Sequence, residues 1–517
     1  TLKRGINMLS KVISSTLIGI DGFKIVVEVD ISQGLPAFDI VGLPDSAVKE
    51  SKDRVRTAIK NSNIDMPVKR VTINLAPANI KKEGPAFDLP IAVGILACIE
   101  AIKENSFNDI MIIGELSLDG SVKSVNGILP MVCTGKDIGI KKFIVPYDNI
   151  EEAGLVSDVE IIGIKTLIEL INYLNGKNKI EPVNINIDNL LKSDTLNNEF
   201  DFLDVKGQEN VKRALEIAAA GMHNIIMVGP PGSGKTMMAK RIPSILPDMS
   251  FNESIEITKI YSVSGILKNK NSLVTKRPFR APHHTISKSA MVGGGRVPKP
   301  GEVSLSHNGV LFLDELPEFS RSVLEELRQP LEDGIVNISR VNGSMSFPAN
   351  LMLVAAMNPC PCGFYGYSDK CTCSQNTISK YLGKISGPLL DRIDIQVEAS
   401  AVNYEDLGVK GKSESSKDIK ERVILAQKVQ IERYKNDGIY FNSQLTAGLI
   451  EKYCELGEAE RKILKGVFDR LNLSARAYHK ILKIARTIAD LEQSKNIGVT
   501  HIAEAVQLRN LDRKFMF

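Results

Sequence analysis

Residues 229–236 read Gly-Pro-Pro-Gly-Ser-Gly-Lys-Thr, which fits G-x-x-x-x-G-K-[ST]. An apolar run (225–228) precedes the loop and a helix-like stretch follows it. That order suits polyphosphate binding, because glycines let backbone N–H groups converge on phosphate oxygens and a helix start adds partial positive charge. Gly229, Pro230, Pro231, Gly232, Ser233, Gly234, Lys235 and Thr236 are therefore the expected nucleotide cradle. Lys235 would reach the β- and γ-phosphates and Thr236 would ligate Mg²⁺. Further on, "GVLFLDELPEF" is an apolar run that delivers Asp314 and Glu315 at its end. Open α/β sheets bind ligands outside the carboxyl ends of their strands. Asp314 would complete the Mg²⁺ shell and Glu315 would polarise an attacking water. A third run, "NLMLVAAMN", ends in Asn358. Asn358 could orient that water, or it could simply close a strand in the turn before Pro359.

Directly after Asn358 come two C-x-C pairs separated by eight residues: Cys360 and Cys362, then Cys371 and Cys373. Four thiolates suffice for a closed tetrahedral Zn²⁺ site. Free thiols in a loop, or an iron–sulfur cluster, use the same ligand set. A zinc cap would be structural and would stiffen the chain beside Asn358. The remaining cysteines, Cys98, Cys133 and Cys454, are scattered and read as core thiols.

These groups need sheets and helices to hold them, and 517 residues allow two to four domains. Residues 8–175 alternate β-like runs ("KIVVEVDI", "RVTINLAP") with helical ones ("DSAVKESKDRVRTAIKNS", "DLPIAVGILACIEAI"), a mixed α/β domain. Residues 176–200 are polar and Asn-rich, a linker. A second α/β unit covers 201–400, and 401–517 reads as successive helices. In the last of these stretches Ile481, Ile484, Ala485, Ile488 and Leu491 share one helical face.

Hydrophobic residues make up 43% and charged residues 24% of the chain, as in a globular protein. No apolar run of about 18 residues is present, so no membrane-spanning helix is expected. The residues before Met8, the expected natural start, lack a signal-peptide core, which points to the cytoplasm. There cysteines stay reduced. Net charge is only +4, but residues 257–301 carry nine Lys or Arg and no acid. Such a block is either a footprint for a polyanion or a solvated loop.

The motifs together resemble the AAA+ ATPases, in the magnesium-chelatase-like branch. "DVKGQENVKRALEIAAAGMHNIIMVGPPGSGKT", "RPFRAPHHTISKSAMVGGG", "PGEVSLSHNGVLFLDELPEF", "MNPCPCG", "GPLLDRIDI" and "LSARAYHKILKIARTIADL" are similar to the ComM/YifB family from Met8 onward. The implied fold is α/β: an AAA+ P-loop NTPase core with a helical lid, preceded by a Lon-protease-like (ribosomal-protein-like) α/β domain. The resemblance makes Asn358 sensor 1, Arg392 the arginine finger acting on a neighbour's ATP, and Arg476 the sensor 2 arginine. Whether Arg476 serves its own nucleotide or a neighbour's is left open, and Arg392 could instead pair with Asp391 or Asp394. The segment from Asp204 to Gln208, with Val205 and Gly207, corresponds to the stretch that packs near the adenine. Residues 257–301 fall where this branch carries its helix-2 insertion. "GIVNISRVNGSMSFPAN" (334–350) matches the presensor-1 hairpin, expected over 335–350, with an Asn342-Gly343 turn. Arg280, Lys288, Arg296 and Arg340 are the expected DNA contacts. In the Lon-like part, Ala86 and Leu129 stand where a protease has its serine and lysine, so no proteolysis is expected.

The resemblance implies an ATP- and Mg²⁺-dependent hexameric DNA motor with a structural Zn²⁺. It would be a branch-migration helicase on single-stranded and branched DNA in natural transformation and homologous recombination. A recombinase or other recombination proteins would be its partners, and no membrane would be involved. The alternatives are a magnesium-chelatase-type motor subunit or an ATP-gated assembly scaffold. Against the chelatase stand the Lon-like domain and the cysteine cluster, which its motor subunit is expected to lack.

Overall fold

The runs Ile225–Val228, Val310–Leu313 and Met352–Met357 contain no charged side chain and are buried along their whole length. That is the pattern of strands in a parallel sheet covered on both faces. A computed structural model of the chain places them side by side. The structure describes residues 9–183, 185, 190, 200–267, 273–295, 298–340, 343–366, 370–400, 414–471 and 473–509. The chain forms two compact units, one of residues 1–193 with 254–275, the other of 194–253 with 276–517. The acid-free stretch expected as one insertion is thus divided at residue 275.

The first unit holds a mixed seven-stranded sheet. Its order is Ala37–Val41, Arg70–Ala76, Asp21–Ser32, Leu9–Ile18, Ile110–Ile112, Lys142–Pro146, Glu160–Ile164. Arg70–Ala76 alternates buried and less buried residues at period two, so one face meets the core. Helix Ser46–Asn61 starts where the Asp45 carboxylate accepts the Val48 N–H at 2.8 Å. Helix Asp88–Cys98 is buried along its length. Its one charged side chain, Asp88, is neutralised by Arg54 through two hydrogen bonds of 2.6 and 3.1 Å. Ala86 and Leu129 are both buried, in the turn Pro85–Phe87 and the helix Ile128–Asp137. From 254–275, Ser262 donates to the buried Glu152 carboxylate, which also accepts the Leu129 N–H at 2.9 Å.

The second unit is built on five parallel strands in the order Phe279–Arg280, Val310–Leu313, Met352–Met357, Ile225–Val228, Ile395–Glu398. One end of this sheet therefore gathers the residues next in the chain after Val228, Leu313 and Met357. Helices Ser416–Arg433, Ala447–Tyr453, Glu458–Leu471, Ala475–Leu491 and Val499–Gln507 form the lid. Ile481, Ile484, Ala485, Ile488 and Leu491 are all buried, as their spacing predicts. Lid and sheet share one core, which includes Ile225, Val354, Ile395, Val423 and Ile488. The lid is anchored at the amino ends of the strands. Gln427 and Gln430 donate to the Ala219 and Ala220 carbonyls at 2.9 and 3.0 Å, closing helix Glu209–Gly221 just before strand Ile225–Val228. Lys480 and Arg509 donate to the Ile393 carbonyl, just before Ile395–Glu398. The hairpin pairs Ile335–Arg340 with Gly343–Pro348, and Arg340 faces Gly343. Gly343 is therefore a strand residue, and Asn342 of the expected Asn342-Gly343 turn lies outside the described residues. Among the described residues no helix is long and apolar enough to cross a membrane.

Candidate active site

Lys235 is buried, and its amine donates to the Gly229 and Pro230 carbonyls (2.8 and 2.9 Å), Ser233 Oγ (3.1 Å) and Asn358 Oδ1 (3.3 Å). Burial pushes the amine below its ordinary pKa, with the Asp314 carboxylate pulling the other way. The cation is thus wrapped in dipoles, and those neutral acceptors leave its charge free for an anion. Gly232 and Gly234 have φ of +77° and +82°, which glycine adopts without strain. A Cβ on Gly229 would lie 2.2 Å from the Ala399 carbonyl oxygen, so no other residue fits there. Gln208 Nε2 donates to the Ser233 carbonyl at 3.4 Å and to the Ser400 carbonyl at 2.5 Å, tying the 204–208 segment to the loop. In that segment Val205 is buried and Gly207 has φ of +64°.

The sheet order brings the other polar groups to this loop. Thr236 Oγ1 donates to Asp314 Oδ2 at 2.6 Å. The two predicted Mg²⁺ ligands therefore already touch, and a hydroxyl beside a carboxylate is a suitable oxygen donor set for that ion. Asn358 directly follows the strand between the loop strand and the acidic strand, and its Oδ1 meets Lys235. Glu315 Oε2 lies 3.5 Å from His284 Nδ1.

All four sulfurs of Cys360, Cys362, Cys371 and Cys373 lie within 4.8 Å of one another. Cys360 Sγ is 3.2 Å from Cys362 Sγ and 3.8 Å from Cys371 Sγ. Zn–S bonds of about 2.3 Å in a tetrahedron put sulfurs about 3.8 Å apart, so the set fits such an ion. The Phe364 backbone N–H, then the Cys360 side chain, lower the Cys362 thiol to about 6. The loop also reaches the phosphate cradle. A Cβ on Gly363 would lie 2.4 Å from Pro231 Cδ, so the Gly363 backbone packs against the Pro231 ring. Sequence reasoning placed the cysteines beside Asn358 but not against Pro231.

Arg392 and Arg476 are at the other end of the sheet. Arg392 precedes strand Ile395–Glu398, which runs parallel to the loop strand. A four-residue strand, roughly 13 Å long, therefore separates it from its own phosphate loop. Its partner is Glu332, where the sequence had suggested Asp391 or Asp394. Arg476 pairs with Asp391 at 3.4 Å. Both arginines line one cleft of about 600 Å³ together with Lys480, Lys483 and Asp394. Burial alone would raise the Asp394 carboxyl pKa. His223, Lys480 and Lys483 more than offset this and hold it well below the usual carboxylate range. The lid's attachment at the amino ends of the strands brings Arg476 here, a placement that no local pattern announces.

Of the expected DNA contacts, Arg280 is held by Glu302 through two 2.6 Å hydrogen bonds, and Lys288 by Glu326 at 2.6 Å. Arg296 and the Arg340 side chain lie outside the described residues.

A glycine-rich phosphate loop, an acidic pair two strands away and a polar tip on the strand between them define an AAA+ nucleotide-binding core. Family comparison agrees. Residues 201–407 match the family described as magnesium chelatase, subunit ChlI. Residues 413–509 match its C-terminal part, and residues 27–149 match subunit ChlI of Mg-chelatase. Competence protein ComM of Haemophilus influenzae is 43% identical over 512 residues, 98% of each chain. YifB of Escherichia coli is 42% identical over 512 residues, again 98% of each. Lon protease 2 of Bacillus subtilis is 32% identical over 146 residues, 28% of this chain and 26% of its own. The chain belongs to the ComM/YifB family of magnesium-chelatase-like AAA+ proteins.

Proposed function

We propose that the chain is an ATP-driven motor that works as a ring, most simply a hexamer, and moves branched or single-stranded DNA during recombination and uptake of foreign DNA. The observation that carries the ring is the position of Arg392 and Arg476, at the sheet end opposite Lys235 and Glu315. An arginine placed there can complete only a neighbour's site. In the joined site Glu315 takes a proton from water as its oxygen bonds to the γ-phosphorus and the bond to the leaving ADP oxygen breaks. Asn358 orients the water and Lys235 offsets charge on the phosphates. Thr236 and Asp314 hold Mg²⁺, which supplies charge neutralisation. Arg392 then stabilises charge on the phosphoryl group in transit. Four cysteines suited to Zn²⁺ brace the phosphate loop through Gly363 and Pro231.

The likeness to a competence protein supports DNA as the polymer, as does the acid-free stretch 276–301. Phosphate contacts would make binding fall steeply with salt. A chelatase-type motor is the second reading, favoured by the family matches. The N-terminal region itself matches subunit ChlI, so that region no longer argues against it. The cysteine cluster still does. A three-strand or four-way-junction migration assay tests the first reading. Wild type should migrate junctions only with hydrolysable ATP, and Lys235→Ala and Glu315→Gln should not. A wild type that hydrolyses ATP yet moves no branched substrate refutes the motor. Metal insertion into a porphyrin with partner subunits would replace it with the second.

A further inference from the structure

Both arginines of the cleft already hold carboxylates. Arg476 meets Asp391 at 3.4 Å, and Arg392 meets Glu332. The backbones on either side of the second pair are fixed. Glu332 lies in helix Arg328–Asp333, which ends at Gly334 with φ of +67°, where the Gly334 N–H donates to the Pro330 carbonyl at 2.9 Å. A Cβ on Gly334 would stand 2.2 Å from Asn350 Oδ1, and the Gly334 carbonyl accepts the Ala349 N–H at 2.8 Å. Asn350 is tied in turn to the chain entering Val310–Leu313. Its N–H donates to His307 Nδ1 at 3.1 Å, and its carbonyl accepts the Asn308 N–H at 2.6 Å. On the other side, Asn224 Nδ2 donates to the Arg392 carbonyl at 2.9 Å while Asn224 Oδ1 accepts the Leu353 N–H at 2.8 Å. Glu332 and Arg392 are thus anchored at the amino ends of three strands, and their side chains are the parts left to move.

Those side chains are held unequally. Arg392 keeps a second acceptor, the Pro388 carbonyl at 3.0 Å, and is 14% exposed, whereas Glu332 is 59% exposed. An ion pair with one arm in solvent is weak and screened by salt. A γ-phosphate carries more charge than a carboxylate and takes a guanidinium in two parallel hydrogen bonds. It can therefore displace Glu332 by rotation of a side chain, with no backbone shift. ADP has no such group to offer.

We infer that Glu332 parks Arg392 in every subunit whose neighbour presents no γ-phosphate, so that closing the seam between two subunits exchanges a carboxylate for a phosphate. Once the phosphate is lost after hydrolysis, Glu332 takes the guanidinium back and the seam loosens. Glu332 acts through Arg392 and is a positioning residue. This inference rests on the ring reading of the site.

The test mixes two differently labelled pools of the full chain and follows energy transfer between the labels as subunits exchange, in ADP or in a non-hydrolysable ATP analogue. Wild type should exchange faster in ADP. Glu332→Gln keeps the side-chain shape and loses the charge. It should slow exchange in the analogue about two- to five-fold, the range an exposed ion pair commands, and leave exchange in ADP unchanged. The unchanged ADP rate shows that the variant is folded. In an Arg392→Ala background the same substitution should do nothing, an outcome that a direct contact between Glu332 and the neighbour would not give. If Glu332→Gln exchanges as wild type does in the analogue, the parking contact is wrong and the ring stands. Faster exchange in the analogue also overturns it, by making Glu332 a support of the seam, as does an effect that survives Arg392→Ala. A wild type that exchanges no faster in ADP than in the analogue overturns it too, because loss of the γ-phosphate then loosens nothing. Labels that show no energy transfer even when combined before nucleotide is added refute the ring, and the inference with it.

Discussion

Replacing Gly363 with alanine should weaken nucleotide binding from a position outside the phosphate loop. Gly363 has φ of +87°, and an added Cβ would stand 2.4 Å from Pro231 Cδ and 2.6 Å from its Cγ. Ordinary contact begins near 3.4 Å, so one wall must retreat by about 1 Å. Neither yields easily. The proline ring is rigid, and Gly363 N–H is tied to the Cys360 carbonyl at 2.9 Å inside the four-sulfur loop. Overpacking between stiff walls costs about 1–3 kcal/mol. The left-handed backbone adds about 1 kcal/mol for any alanine. Gly438 isolates this second effect, since it has φ of +70° and nothing within 4 Å of an added Cβ. If the phosphate loop is the wall that moves, ATP-analogue affinity falls about ten-fold, or about 1.4 kcal/mol. Titration of a fluorescent ATP analogue into Gly363→Ala and Gly438→Ala measures the difference. Gly438→Ala should bind as wild type does. A Gly363→Ala chain that also binds within two-fold of wild type would mean that the cysteine loop does not brace the cradle.

Three further outcomes rest on the same geometry. Arg392→Ala and Lys235→Ala should each abolish hydrolysis, yet a mixture of the two should regain a measurable rate, because mixed seams pair an intact finger with an intact cradle; a mixture as silent as its parts argues against sharing between subunits. Wild type should release one zinc ion per chain to a chromogenic chelator after thiol oxidation, and Cys371→Ser should release less than a tenth of that; equal metal in both, or iron in its place, refutes the four-thiolate zinc site. Asp394→Asn should lower stability by about 3 kcal/mol near pH 7, since it strands the buried cations around it. Because the folded carboxyl pKa is depressed, its stabilisation is complete above the unfolded value of about 3.9 and is lost as pH falls below that. Thermal melting should therefore show the gap between Asp394→Asn and wild type closing below about pH 4, and a gap that stays constant contradicts the assignment.

What could be read from the residues alone is local. A strand buried on both faces must be apolar throughout, so Ile225–Val228, Val310–Leu313 and Met352–Met357 stand out in the sequence. A turn that feeds amides to phosphate needs glycines at fixed spacing. The polar residues ending those strands, Asp314, Glu315 and Asn358, are legible from the same pattern, as is the buried face of Ala475–Leu491. The paired sulfurs are equally plain, because four ligands for one ion must lie close in the chain or be folded together at some cost.

Which groups meet across the sheet was decided only by tertiary structure. Strand order set Asn358 between the cradle and the acids, and brought His284 to Glu315 from an edge strand of two residues, too short to show a period. The lid's attachment to the amino ends of the strands carried Arg476 to Arg392 and away from its own phosphate loop. The hairpin register made Gly343 a strand residue, and chain packing assigned 254–275 to the first unit. Residue spacing encodes what neighbours in the chain do within a few ångströms. Contacts such as Gly363 with Pro231, more than a hundred residues apart, depend on how whole elements pack, and no run of side chains records that beforehand.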